Sequence, residues 1–365
     1  MIKMEGKYNK AIIYADRLMT SDIGQIQSLL DSPLSEGSTI RFMPDVHAGK
    51  GCVIGTTMTA KTRLCPNIVG VDIGCGMLTL KLANKRINLP ELDSCIQKYI
   101  PAGLDKIRDV SHTYANQVNL YNLIAKVKNE DKLYRSIGSL GGGNHFIEID
   151  KDDEGYLYLI IHTGSRNLGV QVAEYWQKVA YKECKIKGED VPYELAWLEG
   201  ESMRGYVHDM LIAQSFAYWN RMIIAKEILG KMHLKFTEDF ETVHNYIDGS
   251  IIRKGAISAK SGERVLIPLN MKDGSILGIG RGNPEWNESA PHGAGRFLSR
   301  KDAKNSISMT DYKKAMEGIF STSVCKETVD EAPQAYKPSE EIISAIGDTV
   351  QIEKVIKPIY NFKAV

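Results

Sequence analysis

The stretch Gly138–Arg166 constrains the fold most, because it combines a predicted β-hairpin with two histidines in glycine-rich surroundings. Two apolar runs, His145–Ile149 and Tyr156–Ile161, flank the acidic segment KDDEG, which is typical of a hairpin turn. Antiparallel pairing of these runs would bring His145 and His162 to the same edge of a sheet. The glycines before His145 leave room for a ligand close to the backbone, and their amides can face an anion. One such histidine alone would favour a structural role, but two beside Asn and Arg indicate a site.

The composition limits the classes of protein to which the chain can belong. Its 365 residues are 43% hydrophobic and 25% charged, which is ordinary for a globular protein with a sizeable core. The formal net charge is +1, so a surface that binds nucleic acid has to be a local basic patch. The six cysteines include no CxxC pair, which favours reduced thiols. The N-terminal segment is too polar for a signal peptide, and no apolar run approaches the roughly 20 residues of a membrane helix. We therefore expect a cytoplasmic protein without a membrane-spanning segment.

Asp45 and His47 lie in a second glycine-rich connection. A strand is predicted at Ile40–Met43, Pro44 should end it, and another strand is predicted at Val53–Met58. Polar loop residues on a rigid scaffold often carry chemistry. The alternative is a tight turn in which Asp45 bonds only nearby amides, and the local sequence favours neither interpretation.

Asp72 and Cys75 are three residues apart around a glycine, after a strand predicted at Ile68–Ile73. A carboxylate and a thiolate so placed can both reach one cation. Oxygen together with sulfur suits a borderline metal such as zinc or manganese better than calcium or magnesium. The alternative for Cys75 is a buried, inert thiol. That alternative is our prediction for the remaining cysteines, which are Cys52, Cys65, Cys95, Cys184 and Cys325.

Two further histidines lie in the second half of the chain. His244 is part of the short strand-like segment Glu241–Asp248. His292 is set between proline and Gly-Ala-Gly in Ala290–Arg296, and we expect it to be exposed. Its surroundings are of the type that binds phosphate, so it could act as a nucleophile, or equally as one more metal ligand.

The rest of the chain is predicted to be mainly helical scaffold. Residues 90–135 look helical, and His112 among them is expected to be structural. Apolar periodicity predicts helices at Val170–Lys187 and Tyr206–Met232. A last strand is predicted near residues 350–357.

The polar candidates are spread over most of the chain, so their convergence would require one domain. Three histidines, one aspartate and one cysteine exceed a single four-coordinate site, and two adjacent ions fit their number better. Two-metal sites suit phosphoryl chemistry, and arginines beside them suit phosphate. The residues alone thus indicate a metal-dependent enzyme acting on phosphates. The candidates are Asp45, Asp72, Cys75, Asn144, His145, His162, Arg166, His244, His292 and Arg296.

Six motifs follow one another along the chain, namely MPDVHAGKG, VGVDIGCGM, GSLGGGNHFIEI, HTGSRNLG, HGAGR and DEAPQAYK. In this order they resemble the RtcB family of RNA-splicing ligases. The resemblance extends from about Phe42 to Lys337, and six ordered motifs make it specific. It implies an enzyme that joins RNA ends carrying a 3′-phosphate or 2′,3′-cyclic phosphate to 5′-hydroxyl ends. It also implies GTP, two Mn²⁺ ions and a guanylylated histidine.

The resemblance also implies a role for each metal-binding candidate. Cys75 resembles the ligand that bridges the two Mn²⁺ ions. Asp72 and His145 would complete the site of one ion, and His162 and His244 that of the other.

The nucleotide site is implied in the same way. His292 resembles the nucleophile that accepts GMP. Arg166 and Arg296 are implied phosphate clamps, and Asp45 matches an acidic position near phosphate or RNA. The implied contacts to the nucleotide are Asn144, Glu148, Ser275, His292, Gly293, Ala294, Gly295 and Tyr336.

We expect one α+β domain spanning residues 1–365, with β-sheets packed face to face and helices outside. RNA and GTP are the expected partners, together with an archease-type activator.

The chain departs from the family pattern at the segment before Ser275 and at its C-terminus. There, Lys363 could replace the lysine that lies near the C-terminus in the family and reaches the guanine. One rival interpretation is a binuclear phosphohydrolase or nuclease, which needs no covalent nucleotide. Another is a non-catalytic RNA-binding protein with a structural metal.

Overall fold

The computed structural model describes residues 1–103 and 117–364. The strands are β1 (Ile2–Glu5), β2 (Lys10–Ile13), β3 (Ile40–His47), β4 (Ile54–Thr59), β5 (Gly76–Leu82), β6 (Phe146–Lys151), β7 (Leu157–Thr163), β8 (Phe236–Val243), β9 (Asn245–Asp248), β10 (Ile251–Lys254), β11 (Ala256–Ser258), β12 (Arg264–Asn270), β13 (Gly274–Gly280), β14 (Ser289–Pro291) and β15 (Val350–Lys363). The α-helices are α1 (Thr20–Leu30), α2 (Pro66–Val69), α3 (Leu89–Tyr99), α4 (Glu130–Arg135), α5 (Arg166–Ile186), α6 (Gly200–Lys231), α7 (Arg300–Ser306), α8 (Met309–Ala315) and α9 (Ser339–Ala345).

The described strands form two large sheets and a small one. The order of the first is β1-β2-β3-β4-β10-β9, and the order of the second is β12-β13-β15-β6-β7-β5-β8. Strands β11 and β14 pair separately. The second sheet is antiparallel throughout, and only β2 and β3 pair in parallel in the first.

The seven-stranded sheet curls until its two edge strands touch. The amide N–H of Leu266 on β12 donates to the hydroxyl of Thr242 on β8, at 3.3 Å. Opposite parts of the curled sheet therefore face each other across a small apolar core that includes Met77, Phe146 and Leu277. Since helices cover the other face of this sheet, the expected α+β class with helices outside is confirmed.

Helix α6 contributes to both larger apolar cores. Phe216 and Ile223 pack into the core beside the six-stranded sheet. Ile224 and Ile228 pack with α3 against the outer face of the seven-stranded sheet. Other positions of α6, which belong to neither core, can therefore contact the loops between the two sheets.

Two local predictions before residue 75 were wrong. The predicted strand Ile68–Ile73 begins instead with the helical turn Pro66–Val69, because a proline at the first helical position has the φ angle that a helix requires. Strand β3 was expected to end at Pro44 but runs on to His47. Its pairing with β4 shifts register between Phe42 and His47, and such an irregularity accommodates proline within a strand.

Other boundaries also differ from the sequence predictions. The hairpin is confirmed as β6–β7, and the last strand is longer than expected. The predicted strand Glu241–Asp248 is two strands that meet at His244. Of residues 90–135, the described helices are α3 and α4, and His112 lies outside the described residues.

Candidate active site

The β6–β7 hairpin brings His145 and His162 together with Cys75. Phe146 pairs with His162 in the ladder, and Met77 of β5 pairs with His162 from the other side. The Sγ atom of Cys75, just before β5, lies 3.4 Å from the Nε2 atoms of both His145 and His162. The prediction that both imidazoles meet at one edge of the sheet is confirmed.

Asp72 and His244 extend this cluster in opposite directions. Asp72 Oδ2 lies 3.0 Å from His145 Nε2, and His244 Nε2 lies 3.1 Å from His162 Nε2. The position of His244 is fixed by its backbone N–H, which donates to the carbonyl of Cys75 at 2.9 Å. Among the described residues, two groups of potential metal ligands result, and Cys75 belongs to both. They are Asp72–Cys75–His145 and Cys75–His162–His244.

The hydrogen bonds around these groups fit a bound cation. His145 Nδ1 donates to the carbonyl of Leu140 at 2.9 Å, which directs Nε2 towards Asp72 and Cys75. The facing Nε2 atoms of His162 and His244 can share at most one proton. The Nδ1 atoms of these two rings are buried and have no hydrogen-bond partner among the described residues. Oxygen, nitrogen and sulfur donors so directed suit a borderline divalent metal.

Burial sets the charge of the ligand side chains. It lowers the pKa of His162 and of His244 well below the ordinary value, so both rings are neutral at pH 7 and can present lone pairs. Burial, together with the charge of Asp72, raises the pKa of the Cys75 thiol well above its usual range. For Asp72, burial is the largest influence and acts to raise the pKa, but the hydrogen bond and charge of His145, together with the charge of Arg166, outweigh it and the pKa is lowered.

Two glycines leave room for the chain's own side chains rather than for a ligand. A Cβ atom at Gly164 would lie 2.3 Å from Asp72 Oδ1. Gly141 has φ +85°, and a Cβ atom there would lie 1.6 Å from Arg166 Nη1. The expectation of ligand space at Gly141 was therefore wrong, because Arg166 fills it.

Asp45 holds the ring of His292. Its carboxylate Oδ2 accepts hydrogen bonds from His292 Nδ1 at 2.6 Å and from the His292 backbone N–H at 3.1 Å. Asp45 is fully buried, and His292 is half-buried rather than exposed as expected. The His292 ring lies 4.8 Å from that of His244, which links it to the metal-ligand cluster. With Nδ1 held by Asp45, Nε2 is the ring nitrogen of His292 that remains available to a bound molecule.

A cavity of about 590 Å³ opens beside His292. Ser275 does not line it, and that side chain is fully buried on β13. Arg166 does not line it either, whereas Arg296 does. The other sequence candidates for nucleotide contacts line the cavity, namely Asn144, Glu148, Gly293, Ala294, Gly295 and Tyr336.

The chain matches a known protein family along most of its length. The family model described as tRNA-splicing ligase RtcB matches residues 25–129 and 103–364. The chain belongs to the RtcB family.

Individual RtcB relatives match over nearly the whole chain. RNA-splicing ligase RtcB of Escherichia coli is 31% identical over 370 residues, covering 89% of this chain and 90% of that protein. RNA-splicing ligase RtcB2 of E. coli is 27% identical over 378 residues, covering 93% of each. The tRNA-splicing ligase RtcB of Nanoarchaeum equitans is 29% identical over 461 residues, covering 97% of this chain and 95% of that protein. Within the described ranges, no helix has the length and apolar character needed to cross a membrane.

Sequence reasoning missed a buried carboxylate in this RtcB chain, although it lies in the quoted motif DEAPQAYK. Glu331 accepts hydrogen bonds from Arg300 at 2.6 Å, Lys363 at 3.1 Å and the hydroxyl of Tyr336 at 2.6 Å. Arg296 contacts it at 3.3 Å. Burial acts to raise the pKa of Glu331, but the charges of Lys363 and Arg300 outweigh it and lower that pKa to about 2. Lys363, the predicted replacement for the C-terminal lysine of the family, lines the cavity.

Asn220 and Arg221 of α6 support the metal-ligand loops from behind. Asn220 Oδ1 accepts the backbone N–H of Gly138 at 2.6 Å, and its amide donates to Thr163 Oγ1 at 3.2 Å. Arg221 donates to the carbonyls of Gly74 and Thr163 at 2.9 and 2.8 Å. The sequence showed this pair on a helix but gave no sign of what it contacts.

Proposed function

We propose that this chain is a GTP- and Mn²⁺-dependent RNA ligase. It joins RNA 3′-phosphate or 2′,3′-cyclic phosphate ends to 5′-hydroxyl ends through a guanylylated His292, in RNA repair or tRNA splicing. The observation that carries the proposal is the placement of His292. Buried Asp45 orients its ring through Nδ1, and the ring lies between a nucleotide-sized cavity and the ligand cluster of His244. The names of the RtcB relatives support RNA as the substrate.

The two ligand groups are the proposed site of two Mn²⁺ ions. Cys75 would bridge them, with Asp72 and His145 on one ion and His162 and His244 on the other. Bound there, the ions would neutralise charge on phosphate oxygens.

His292 supplies the nucleophile. Its Nε2 lone pair attacks the α-phosphorus of GTP, and pyrophosphate leaves as the histidine–GMP bond forms. The GMP group is then transferred to the RNA 3′-phosphate. The 5′-hydroxyl attacks this activated phosphate and GMP leaves. The hydrogen bonds that His292 donates to Asp45 keep the ring oriented for the first of these steps.

The remaining site residues are proposed to hold the nucleotide and the RNA phosphates. Asn144, Glu148 and Tyr336 would contact the nucleotide from the cavity wall, together with the backbone of Gly293–Gly295. Arg296 faces the same cavity and would contact phosphate. Ser275 and Arg166 are proposed to act only if their surroundings move, because Ser275 is buried and Arg166 packs against Gly141. An archease-type activator and a cytoplasmic location complete the proposal.

Labelling with GTP and Mn²⁺ tests the function directly. The wild-type chain should acquire an acid-labile, base-stable GMP label and should seal RNA ends. His292→Ala should carry no label but should retain Mn²⁺, because the five proposed ligands remain. It should still seal an RNA whose 3′ end is already guanylylated. His208→Ala on α6, whose ring is half-exposed to solvent, is the matched control and should behave as wild type.

Three results would contradict the proposal. Label on His292→Ala would mean that another residue is the nucleophile. Release of phosphate from RNA without any GMP label would favour the binuclear hydrolase. RNA binding that survives loss of Cys75 and of His292, with neither label nor sealing in the wild type, would favour a non-catalytic binding protein.

A further inference from the structure

His47 is a second histidine anchored on Asp45, and the ligase proposal gives it no role. Its Nδ1 atom lies 2.8 Å from the backbone carbonyl oxygen of Asp45, while His292 uses the carboxylate of the same residue. A carbonyl oxygen only accepts hydrogen bonds, so Nδ1 of His47 carries the proton and its Nε2 carries a lone pair. The two rings are 6.4 Å apart with an angle of 19° between their planes.

The ring of His47 faces the same cavity as His292. No hydrogen bond between described residues involves its Nε2 atom, which leaves this atom available to a bound molecule. The backbone around the ring is fixed by Lys337, whose Nζ donates to the carbonyls of Pro44 and Val46 at 2.9 and 2.8 Å. A neutral, oriented and unpartnered imidazole thus lies beside the proposed nucleophile.

Burial keeps His47 unprotonated, although Asp45 acts in the opposite direction, and four titratable groups surround the ring. They are Asp45 on its own strand, His292 after β14, Lys337 before α9, and Asp22 of α1 on the cavity wall. Burial lowers the pKa of His47 to about 4, with His292 and Lys337 acting in the same direction. At neutral pH the ring can therefore accept a proton but has none on Nε2 to give.

Starting from an RNA 3′-phosphate, the ligase reaction contains one step that requires a proton acceptor. Attack by His292 on GTP uses a lone pair and releases no proton, and neither does transfer of GMP to the RNA phosphate. Attack by the 5′-hydroxyl is different, because its proton must leave as the new phosphorus–oxygen bond forms. The five proposed metal ligands are committed to the ions, and His292 is needed for the earlier steps.

We propose that His47 is the general base of the sealing step. Its Nε2 accepts the proton of the attacking 5′-hydroxyl while the oxygen bonds to the activated 3′-phosphate. The bond between this phosphate and GMP breaks, GMP leaves with the electron pair, and His47 later returns the proton to solvent. The inference rests on the proposed ligase function.

Two substitutions separate proton transfer from support of Asp45. His47→Asn keeps an N–H donor near the position of Nδ1 but has no base in place of Nε2. His47→Gln places its amide near the position of Nε2 and is likewise not a base. Both variants, as the full chain loaded with Mn²⁺, are assayed for thermal unfolding, metal content, GMP labelling of His292 and sealing of RNA with a guanylylated 3′ end.

We expect both variants to fold, retain Mn²⁺ and label His292 within about threefold of wild type, while sealing slows on the order of 100-fold or more. Guanylylated RNA should then accumulate during reactions that start from the 3′-phosphate, which a purely structural defect would not produce. Wild-type sealing by both variants would overturn the proposal. Wild-type sealing by His47→Asn but not by His47→Gln would show that the ring only supports Asp45. An equal loss of labelling and sealing in both variants would show that the ring positions His292.

The same assays distinguish this inference from the function on which it rests. A wild-type chain that neither labels nor seals would overturn both. A wild-type chain that labels and seals, with variants that also seal, would overturn only the role of His47. The last control is His292→Ala assayed with guanylylated RNA. Sealing at the wild-type rate would exclude His292 as the general base. A loss of sealing would indicate that His292, and not His47, accepts the proton.

Discussion

Cys75 is the residue on which both candidate metal groups depend, since its sulfur contacts His145 and His162 at equal distances. Cys75→Ala should abolish metal binding at both groups, together with GMP labelling, because no other residue belongs to both. Metal content by mass spectrometry and labelling with GTP check this. Cys184→Ala, also a buried thiol, should leave metal content unchanged. Full activity of Cys75→Ala would show that the sulfur is not a ligand.

Glu331 contributes a pH-dependent part of the stability. Its folded-state pKa of about 2 lies below the ordinary value of 4.5, so its stabilising effect is present above about pH 4.5 and is lost as the pH falls towards 2. Glu331→Gln should lower the free energy of unfolding at pH 7 by an amount on the order of 3 kcal/mol.

Urea unfolding at pH 7 and pH 3 measures this effect. The difference between wild type and Glu331→Gln should be smaller at pH 3. Glu285→Gln is the control, because that carboxylate also pairs with an arginine, Arg41, but its side chain is 71% exposed. It should change stability by less than about 1 kcal/mol. A pH-independent loss in Glu331→Gln would mean that packing, rather than charge, explains the cost.

At the scale of elements, helix α6 joins the two ligand-bearing segments of the β6–β7 region. Asn220 on this helix is fully buried and bonds the backbone at Gly138 and Ser139 on one side and at Gly164 on the other. Gly138 and Ser139 precede the loop that leads to His145, and Gly164 follows the strand that carries His162. The helix therefore fixes the distance between these two histidines.

Asn220→Ala should weaken the metal site through this helix. It leaves several buried backbone groups unpaired, which should cost about 2–4 kcal/mol of stability. Looser positioning of the ligands should also reduce metal affinity roughly 10- to 100-fold. Thermal unfolding and metal titration check both effects. Leu211→Ala, on the exposed side of the same helix, should change neither. Unchanged metal affinity in Asn220→Ala would show that the loops hold their own geometry.

At the scale of the whole molecule, the curled sheet depends on its last strand. Strand β15 lies between β13 and β6. Its first half, from Val350 to Ile356, pairs with β13, and its second half, from Lys357 to Lys363, pairs with β6. It also carries Lys363 to the cavity. The end of the chain is therefore central to both the fold and the site.

Removal of residues 350–365 should prevent cooperative folding. It would leave the ladder edges of β13 and β6 without partners and open the apolar interior of the sheet. Removal of residues 1–5 is the contrasting change, because β1 is an edge strand and β2 is its only neighbour among the described strands. That variant should still unfold cooperatively, somewhat below the wild-type temperature. Circular dichroism during heating measures both. A cooperative transition without β15 would show that the seven-stranded sheet is not one unit.

The sequence determined the parts of the molecule that depend on neighbours along the chain. Alternating apolar residues and an acidic turn are local, so the β6–β7 hairpin and the meeting of His145 with His162 could be predicted. The same holds for the long helices, whose apolar periodicity is local. The ordered motifs also indicated the family, which the family model confirms.

Only the tertiary structure decided contacts between residues far apart in the chain. Cys75 meets histidines 70 and 87 positions away, and Asp45 meets His292 across 247 positions. Such distances follow from strand register and from the curl of the sheet, neither of which local patterns specify. The burial of Ser275 and the placing of Arg166 against Gly141 have the same origin. Residue type and spacing could select the candidates, but the register of strands from distant parts of the chain chose which of them share one site.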